Sequence, residues 1–157
     1  MSVAFVKEPN EDQVEVLPDR DLGTDPNIVT PRGLRLIDGE METLNARLVA
    51  ARDAGDKVAL ATINRDLRYW KARHATAELV HPPSDPETVQ FGCKVSIERE
   101  DGRAQSFTIV GIDEADPKEG YLSFLSPLAR TLMGKAVGEE VKAGASMAEI
   151  TAITTAP

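Results

Sequence analysis

Two stretches of helical periodicity, separated by one glycine, constrain the fold of this chain more than any other feature. In both stretches apolar side chains recur at alternating steps of three and four residues, which is the spacing of a coiled-coil seam. Gly55 lies between them and suits the left-handed conformation that ends a helix. We therefore predict an antiparallel helical hairpin over residues 30–80. Its seam positions are Leu34, Ile37, Met41, Leu44, Leu48 and Ala51 in the first helix and Leu60, Ile63, Leu67, Trp70, His74 and Ala77 in the second.

The turn of this hairpin carries two aspartates, Asp53 and Asp56, so carboxylates are predicted at the exposed end of a rod. Thr30 and Pro31 fit the N-cap and the first position of the first helix. The second helix is predicted to run from residue 57 to about Val80, because two prolines follow.

Charge is distributed unevenly along the chain. The net charge of −8 argues against a protein held on DNA through its phosphates, which requires a basic surface. Residues 1–29 contain three prolines and no sustained periodicity, so we predict an acidic leader that is extended or disordered. Its segment Asp19–Asp25 could mimic nucleic acid or dock on a basic partner, although a solvated tail is the simpler interpretation.

Helix two also carries a basic stretch. These side chains could be solvated helix surface, or they could guide the arm along an RNA- or acid-lined channel. They are Arg65, Arg68, Lys71 and Arg73.

After a linker at residues 81–87, the pattern changes to short strands and predicts a globular domain over residues 88–157. The whole is an α+β chain, in which the hairpin precedes a small antiparallel sheet carrying one helix. Ser126 and Pro127 are the predicted cap and first residue of that helix, which runs to about Met133. The predicted strands are 89–98, 105–112, 121–125, 139–142 and 147–153, with a hairpin turn at 100–103.

The order and spacing of these segments resemble the GreA/GreB transcript-cleavage factors of bacterial RNA polymerase. The C-terminal part of the resemblance is the more specific, and the N-terminal part covers the start of the first helix and the tip. The matching segments are Phe91-Gly92, Phe107–Asp116, Ser126–Lys135 and Val137-Gly138, together with Val29–Leu34 and Ala51–Asp56.

This resemblance implies an FKBP-like globular domain that docks at the rim of the polymerase secondary channel, while the coiled coil enters the channel. It also implies that acids at the tip help to hold a second Mg²⁺ at the polymerase active centre, so that the polymerase cleaves its own backtracked RNA. The protein would then be no enzyme and hold no cofactor of its own, sharing Mg²⁺ at most through Asp56. The implied polymerase-docking residues are Asp113, Glu114, Asp116, Ser126, Pro127, Leu128, Ala129 and Arg130.

The sequence departs from the family pattern at the tip and in the length of the arm. Asp56 matches the first family acid, but Ala59 and Thr62 stand where two further acids are expected, and Asp53 could substitute only from the same face. Fewer carboxylates should weaken Mg²⁺ retention. The family arm is around one heptad longer per helix, which corresponds to roughly 10 Å of reach at ~1.5 Å per residue. A short arm also resembles the nucleoside-diphosphate-kinase regulator (Rnk) branch, which lacks cleavage activity.

These observations favour a polymerase-binding elongation regulator that modulates or competes at the secondary channel without strongly stimulating cleavage. One alternative is a true cleavage-stimulating factor that uses Asp56 with Asp53. A second is a generic coiled-coil interaction module, and prolyl isomerisation has little support because an isomerase pocket requires an aromatic lining.

The remaining chemistry-bearing residues favour structural roles. Cys93 lies in a strand-like run and is predicted to be a small buried side chain. His74 and His81 lack surrounding cysteines or carboxylates, so a zinc site is not expected. No signal peptide or membrane span is recognisable, and we expect a cytoplasmic protein without membrane contact or sequence-specific DNA binding.

Overall fold

The structure, a computed structural model, describes residues 14–156 and confirms the predicted α+β fold with a helical hairpin before the sheet. Two short strands flank the hairpin, and five strands form the main sheet. In chain order the elements are β1 (Ile28–Val29), α1 (Pro31–Ala54), α2 (Lys57–Thr76), β2 (Glu78–Leu79), β3 (Cys93–Arg99), β4 (Ala104–Val110), a short 3-10 helix (Pro117–Glu119), β5 (Tyr121–Ser123), α3 (Pro127–Leu132), β6 (Glu140–Ala143) and β7 (Ser146–Thr155).

The hairpin follows the predicted seam over most of its length. Gly55 ends α1 in the left-handed conformation, with φ of 65°, and the two helices pack through one buried cluster. His74 differs from the prediction because its side chain is exposed and its Nε2 lies 3.2 Å from Asp38. The cluster contains Leu44, Ala51, Leu60, Ile63 and Leu67, with Leu48 and Trp70 partly buried against it.

Helix α2 ends at Thr76, four residues before the predicted end at Val80. The reason is a competing backbone pairing, because β2 forms a parallel two-stranded ladder with β1. The amides of Glu78 and Val80 donate to the carbonyls of Asn27 and Val29, each at 2.9 Å. Hydrogen bonds that a longer helix would have made within itself are therefore made to the segment before α1.

The main sheet has the strand order β5-β4-β3-β7-β6. The prediction of an antiparallel sheet is correct for the pairs β4-β3, β3-β7 and β7-β6 but wrong for β5, which runs parallel to β4. The acidic loop and the 3-10 helix between β4 and β5 return the chain to the level of Thr108, so β5 runs from there in the same direction as β4.

One face of the sheet packs on α3 and forms the core of the globular part. Val95, Ile97, Ile109 and Ile150 are fully buried there, which follows from the period-two alternation of their strands. Cys93 is also fully buried, as predicted, and burial raises the pKa of its thiol. A thiol in this setting is a small apolar side chain and not a nucleophile.

The structure describes the second half of the predicted leader. Residues 14–27 contact α2, where Arg68 and Arg73 donate to the carbonyls of Leu17 and Leu22, while residues 1–13 fall outside the described range. The physical reason is charge complementarity, since the acidic leader meets the basic stretch of the helix. Within residues 14–156 the helices are too short or too polar to cross a bilayer.

Candidate functional site

The tip of the hairpin presents both predicted acids to solvent. Asp53 lies in the last turn of α1, and Asp56 is the N-cap of α2. The amide of Ala59 donates to Oδ1 of Asp56 at 3.0 Å, and the amide of Asp56 donates to the carbonyl of Ala51 at 3.0 Å. These bonds close the turn around Gly55, so the sequence of the tip fixes the position of the Asp56 carboxylate.

The chemistry available at this tip is limited. One oxygen of Asp56 satisfies the helix end, and the positive end of the α2 dipole lies beside the carboxylate and opposes cation binding there. The hydroxyl of Thr62 donates a hydrogen bond to the carbonyl of Val58 at 3.3 Å. Among residues 14–156, no three histidine, cysteine or acidic side chains come together as a metal cage. Asp53 and Asp56 therefore offer at most a partial ligand shell for a hard cation.

Asp113, one of the predicted docking residues, joins the hairpin to the sheet. Nε of Arg73 donates to its Oδ2 at 2.6 Å, and the Tyr69 hydroxyl donates to its Oδ1. Only 10% of the Asp113 side chain and 4% of the Arg73 side chain are exposed. The pKa of Tyr69 is raised to about 12, mainly by burial of the side chain and secondly by its hydrogen bond to Asp113. This carboxylate is held by intramolecular partners and faces little solvent.

Glu114 occupies the N-terminus of α1. The hydroxyl of Thr30 donates to its Oε1 at 2.5 Å, and Nη1 of Arg32 donates to its Oε2 at 2.9 Å. Its side chain is 3% exposed, and the guanidinium of Arg32 also lies 4.0 Å from the ring centroid of Tyr121. The positive helix end and Arg32 together compensate a buried carboxylate.

The structure separates the predicted docking residues into a buried and an exposed group. Asp113 and Glu114 belong to the junction, and Ala129 is fully buried in the core. Ser126 caps α3 by accepting from the amide of residue 129 at 3.3 Å, as predicted, and Leu128 packs against the core. The exposed members are Asp116, Pro127 and Arg130.

A cavity of about 250 Å³ lies beside the junction, between the start of α1 and the outer side of the sheet. Arg35, Lys94 and Thr108 contribute to its lining, and Tyr121 is its single aromatic side chain among the described residues. This lining is unlike the aromatic pocket that prolyl isomerisation requires.

Sequence reasoning missed the partners that lock the junction. The sequence pattern places Arg73 in a basic stretch that is either solvated or a guide along a channel, and it assigns no role to Tyr69 and Asn27. Nη2 of Arg73 donates to Asn27 at 2.7 Å, and the Asn27 amide donates to the carbonyl of Arg73 at 2.7 Å. The hydrogen-bonded pairs of the junction are separated by 40 residues (Arg73 with Asp113) to 84 residues (Thr30 with Glu114), so no local spacing could have revealed them.

Comparison with known proteins finds relatives of this chain that share a single family. The family described as "Transcription elongation factor, GreA/GreB, C-term" matches residues 83–155. The transcription elongation factor GreB of Pseudomonas putida is 31% identical over 134 residues, which cover 73% of this chain and 83% of that protein. The chain belongs to the GreA/GreB family.

Other GreA/GreB relatives align over a smaller region. GreB of Pseudomonas aeruginosa is 40% identical over 86 residues, which cover 54% of this chain and 51% of that protein. The chain spans about half the length of the GreB proteins that it matches in this way. A solved GreA/GreB structure from Nitrosomonas europaea is 24% identical and covers 81% of this chain and 98% of that one, with a TM-score of 0.41.

Proposed function

We propose that this GreA/GreB family member binds RNA polymerase at the secondary channel and modulates elongation, competing with cleavage-stimulating factors more than it stimulates cleavage itself. The observation that carries this proposal is the tip: a family hairpin ends in the exposed Asp56, while positions 59 and 62 hold alanine and threonine.

The electrostatics of the tip support competition over catalysis. In two-metal phosphoryl chemistry, the second ion must stabilise charge on the attacking or leaving oxygen, and a weakly held ion needs several oxygen ligands. The Asp56 carboxylate is already engaged by the first turn of α2, and the helix dipole disfavours a nearby cation. An arm with this tip can occupy a channel without completing a metal site.

The length of the arm supports the same conclusion. Helix α1 has 24 residues and α2 has 20, so α1 spans about 36 Å at ~1.5 Å per residue. An arm shorter than that of a cleavage-stimulating relative would leave the tip acids short of the catalytic metal, since a metal–oxygen bond tolerates only tenths of an ångström.

A transcript-cleavage assay on stalled elongation complexes tests this function. We expect the purified protein to add little cleavage on its own and to reduce the cleavage stimulated by an added GreB. Asp56→Asn should retain this inhibition, and Glu40→Asn, which changes an exposed acid within α1, is the matched control. Robust cleavage that disappears in Asp56→Asn but persists in Glu40→Asn would establish the cleavage-factor alternative. Absence of any polymerase binding at low salt would support the generic coiled-coil module.

The docking surface on the globular part is proposed to include Asp116, Pro127 and Arg130, because these family-matched residues are exposed. Arg130→Glu should weaken retention of the protein on polymerase, whereas Lys142→Glu on β6, which is also exposed, should not. Equal retention of the two variants would remove Arg130 from the docking surface.

A further inference from the structure

The described part of the leader lies on the basic face of α2 and is held there by specific bonds. Nε of Arg68 donates to the Asp19 carboxylate at 2.5 Å, and its Nη2 donates to the carbonyl of Leu17 at 2.8 Å. Nη1 of Arg73 donates to the carbonyl of Leu22 at 3.4 Å. The segment thus accepts hydrogen bonds from two arginines of the same helix through one carboxylate and two backbone carbonyls.

Apolar and aromatic contacts accompany these polar ones. Val14 packs against the buried cluster of the hairpin, as Trp70 also does. The guanidinium of Arg20 lies 3.9 Å from the ring centroid of Tyr69 and 6.0 Å from that of Trp70. Its Nη1 also lies 3.4 Å from Asp66. The segment from residue 14 to residue 22 therefore covers a continuous strip of the arm.

The chemistry of this strip favours polypeptide over nucleic acid. The Arg68 guanidinium donates at once to a carboxylate and to a main-chain carbonyl, which are the two acceptors that an acidic peptide offers. The apolar side chain of Val14 provides an anchor of the kind found in extended peptide recognition. The overall charge of −8 also opposes phosphate binding by the whole protein.

We propose that residues 14–22 are an intramolecular competitor that covers the basic side of α2 around Arg68, and that this side docks on an acidic polypeptide surface of the polymerase when the leader is displaced, while Arg73 stays bound in the junction. The identity of the partner rests on the proposed function, whereas the competition itself does not. The leader is held by weak bonds: 75% of the Asp19 side chain and 38% of the Arg68 side chain are exposed. Ion pairs of this kind are readily exchanged and are screened by salt.

The experiment uses the full chain and an acidic probe, a fluorescently labelled oligo-glutamate peptide. Asp19→Lys breaks the ion pair with Arg68 and should raise the affinity for the probe by about threefold, the size expected for an exposed pair. It should also increase acrylamide quenching of Trp70, the one tryptophan of the chain. Asp25→Lys is the matched control, because it makes the same charge change at an exposed leader residue that has no ion pair within residues 14–156.

The outcomes separate the competition from the function on which its partner depends. The charge-swapped pair Asp19→Lys with Arg68→Glu should restore protection of Trp70 if the contact is direct. Equal effects of Asp19→Lys and Asp25→Lys would overturn the competition. Tighter binding of a single-stranded RNA than of oligo-glutamate would overturn the polypeptide assignment. If Asp19→Lys both tightens binding of the probe and increases the quenching of Trp70, but no variant is retained on polymerase, the proposed function fails and the intramolecular competition stands.

Discussion

At the scale of single residues, Gly33 shows how the junction constrains a helix. It lies in the first turn of α1, and a Cβ built there would be 2.8 Å from Oε1 of Glu114. Because Glu114 is fixed by Thr30 and Arg32, it has little room to retreat. Glycine at this position is required by close approach to a buried carboxylate and not by the helix itself.

The first prediction compares two glycines of α1. Gly33→Ala should lower the free energy of unfolding by about 1–3 kcal/mol through overpacking against Glu114. Gly39→Ala, where a Cβ has nothing within 4 Å, should raise it by about 0.5–1 kcal/mol, the usual helix-propensity gain. Urea denaturation of both variants checks this, and a stabilising Gly33→Ala would contradict the described packing.

Tyr69 is the residue whose titration is tied to folding. Its hydroxyl donates to Asp113, and its pKa is raised from 10.0 to about 12 in the folded chain. The neutral form is therefore favoured by folding, so the stabilisation is fully present below pH 10 and is lost as the pH rises through about 12.

The second prediction follows from the upward direction of the pKa shift of Tyr69. Between pH 10 and 12 the wild-type chain should lose stability through this group, by about 1 kcal/mol after allowing for solvent screening. Tyr69→Phe should be less stable at pH 8 and should show a smaller loss over the same interval. Denaturant titrations at fixed pH measure both, and Tyr121→Phe controls for general alkaline effects. Identical pH dependence in wild type and Tyr69→Phe would contradict the assignment.

At the scale of elements, one side chain at the tip has both a structural role and a proposed functional role. Asp56 caps α2 while also being the acid that matches the family tip. A loss of activity on substitution could therefore reflect a frayed helix and not a lost ligand, and the two effects need separate variants.

The third prediction separates them. Asp56→Ala removes the cap and should cost about 1 kcal/mol of stability. Asp56→Ser keeps a capping oxygen without a carboxylate and should cost only a few tenths of a kcal/mol. Thermal unfolding followed by circular dichroism checks the cap, and the same two proteins in the transcript-cleavage assay report on the carboxylate. Equal destabilisation by alanine and serine would show that the cap contributes little.

At the scale of the whole molecule, the hairpin and the sheet are joined through buried charges. In the part of the chain that the structure describes, the side-chain hydrogen bonds between these units come from Thr30, Arg32, Tyr69 and Arg73 and end on Asp113 and Glu114. Such pairs are sensitive to removal of one partner, because the other charge is then left uncompensated.

The fourth prediction is that this junction is energetically coupled. Arg73→Met and Asp113→Leu should each destabilise the chain by about 3 kcal/mol, and the double variant should lose clearly less than the sum. Urea unfolding followed through Trp70 emission measures the cycle. The surface pair Arg103 and Asp101, an exposed ion pair at a turn, is the control and should show little coupling. Additive effects at Arg73 and Asp113 would mean that the junction is held by other contacts.

Local patterns in the sequence predicted the elements whose determinants lie close together in the chain. The seam around Leu44 and Leu67, the left-handed Gly55 and the Ser126 cap all depend on residues within a few turns, and periodicity and capping chemistry report on these directly. Only the tertiary structure decided that β5 runs parallel to β4 and that α2 ends at Thr76. It also decided that the leader binds Arg68 and that Asp113 and Glu114 form the junction. Each of these depends on the pairing of groups far apart in sequence, and their partners are fixed only when the chain has folded.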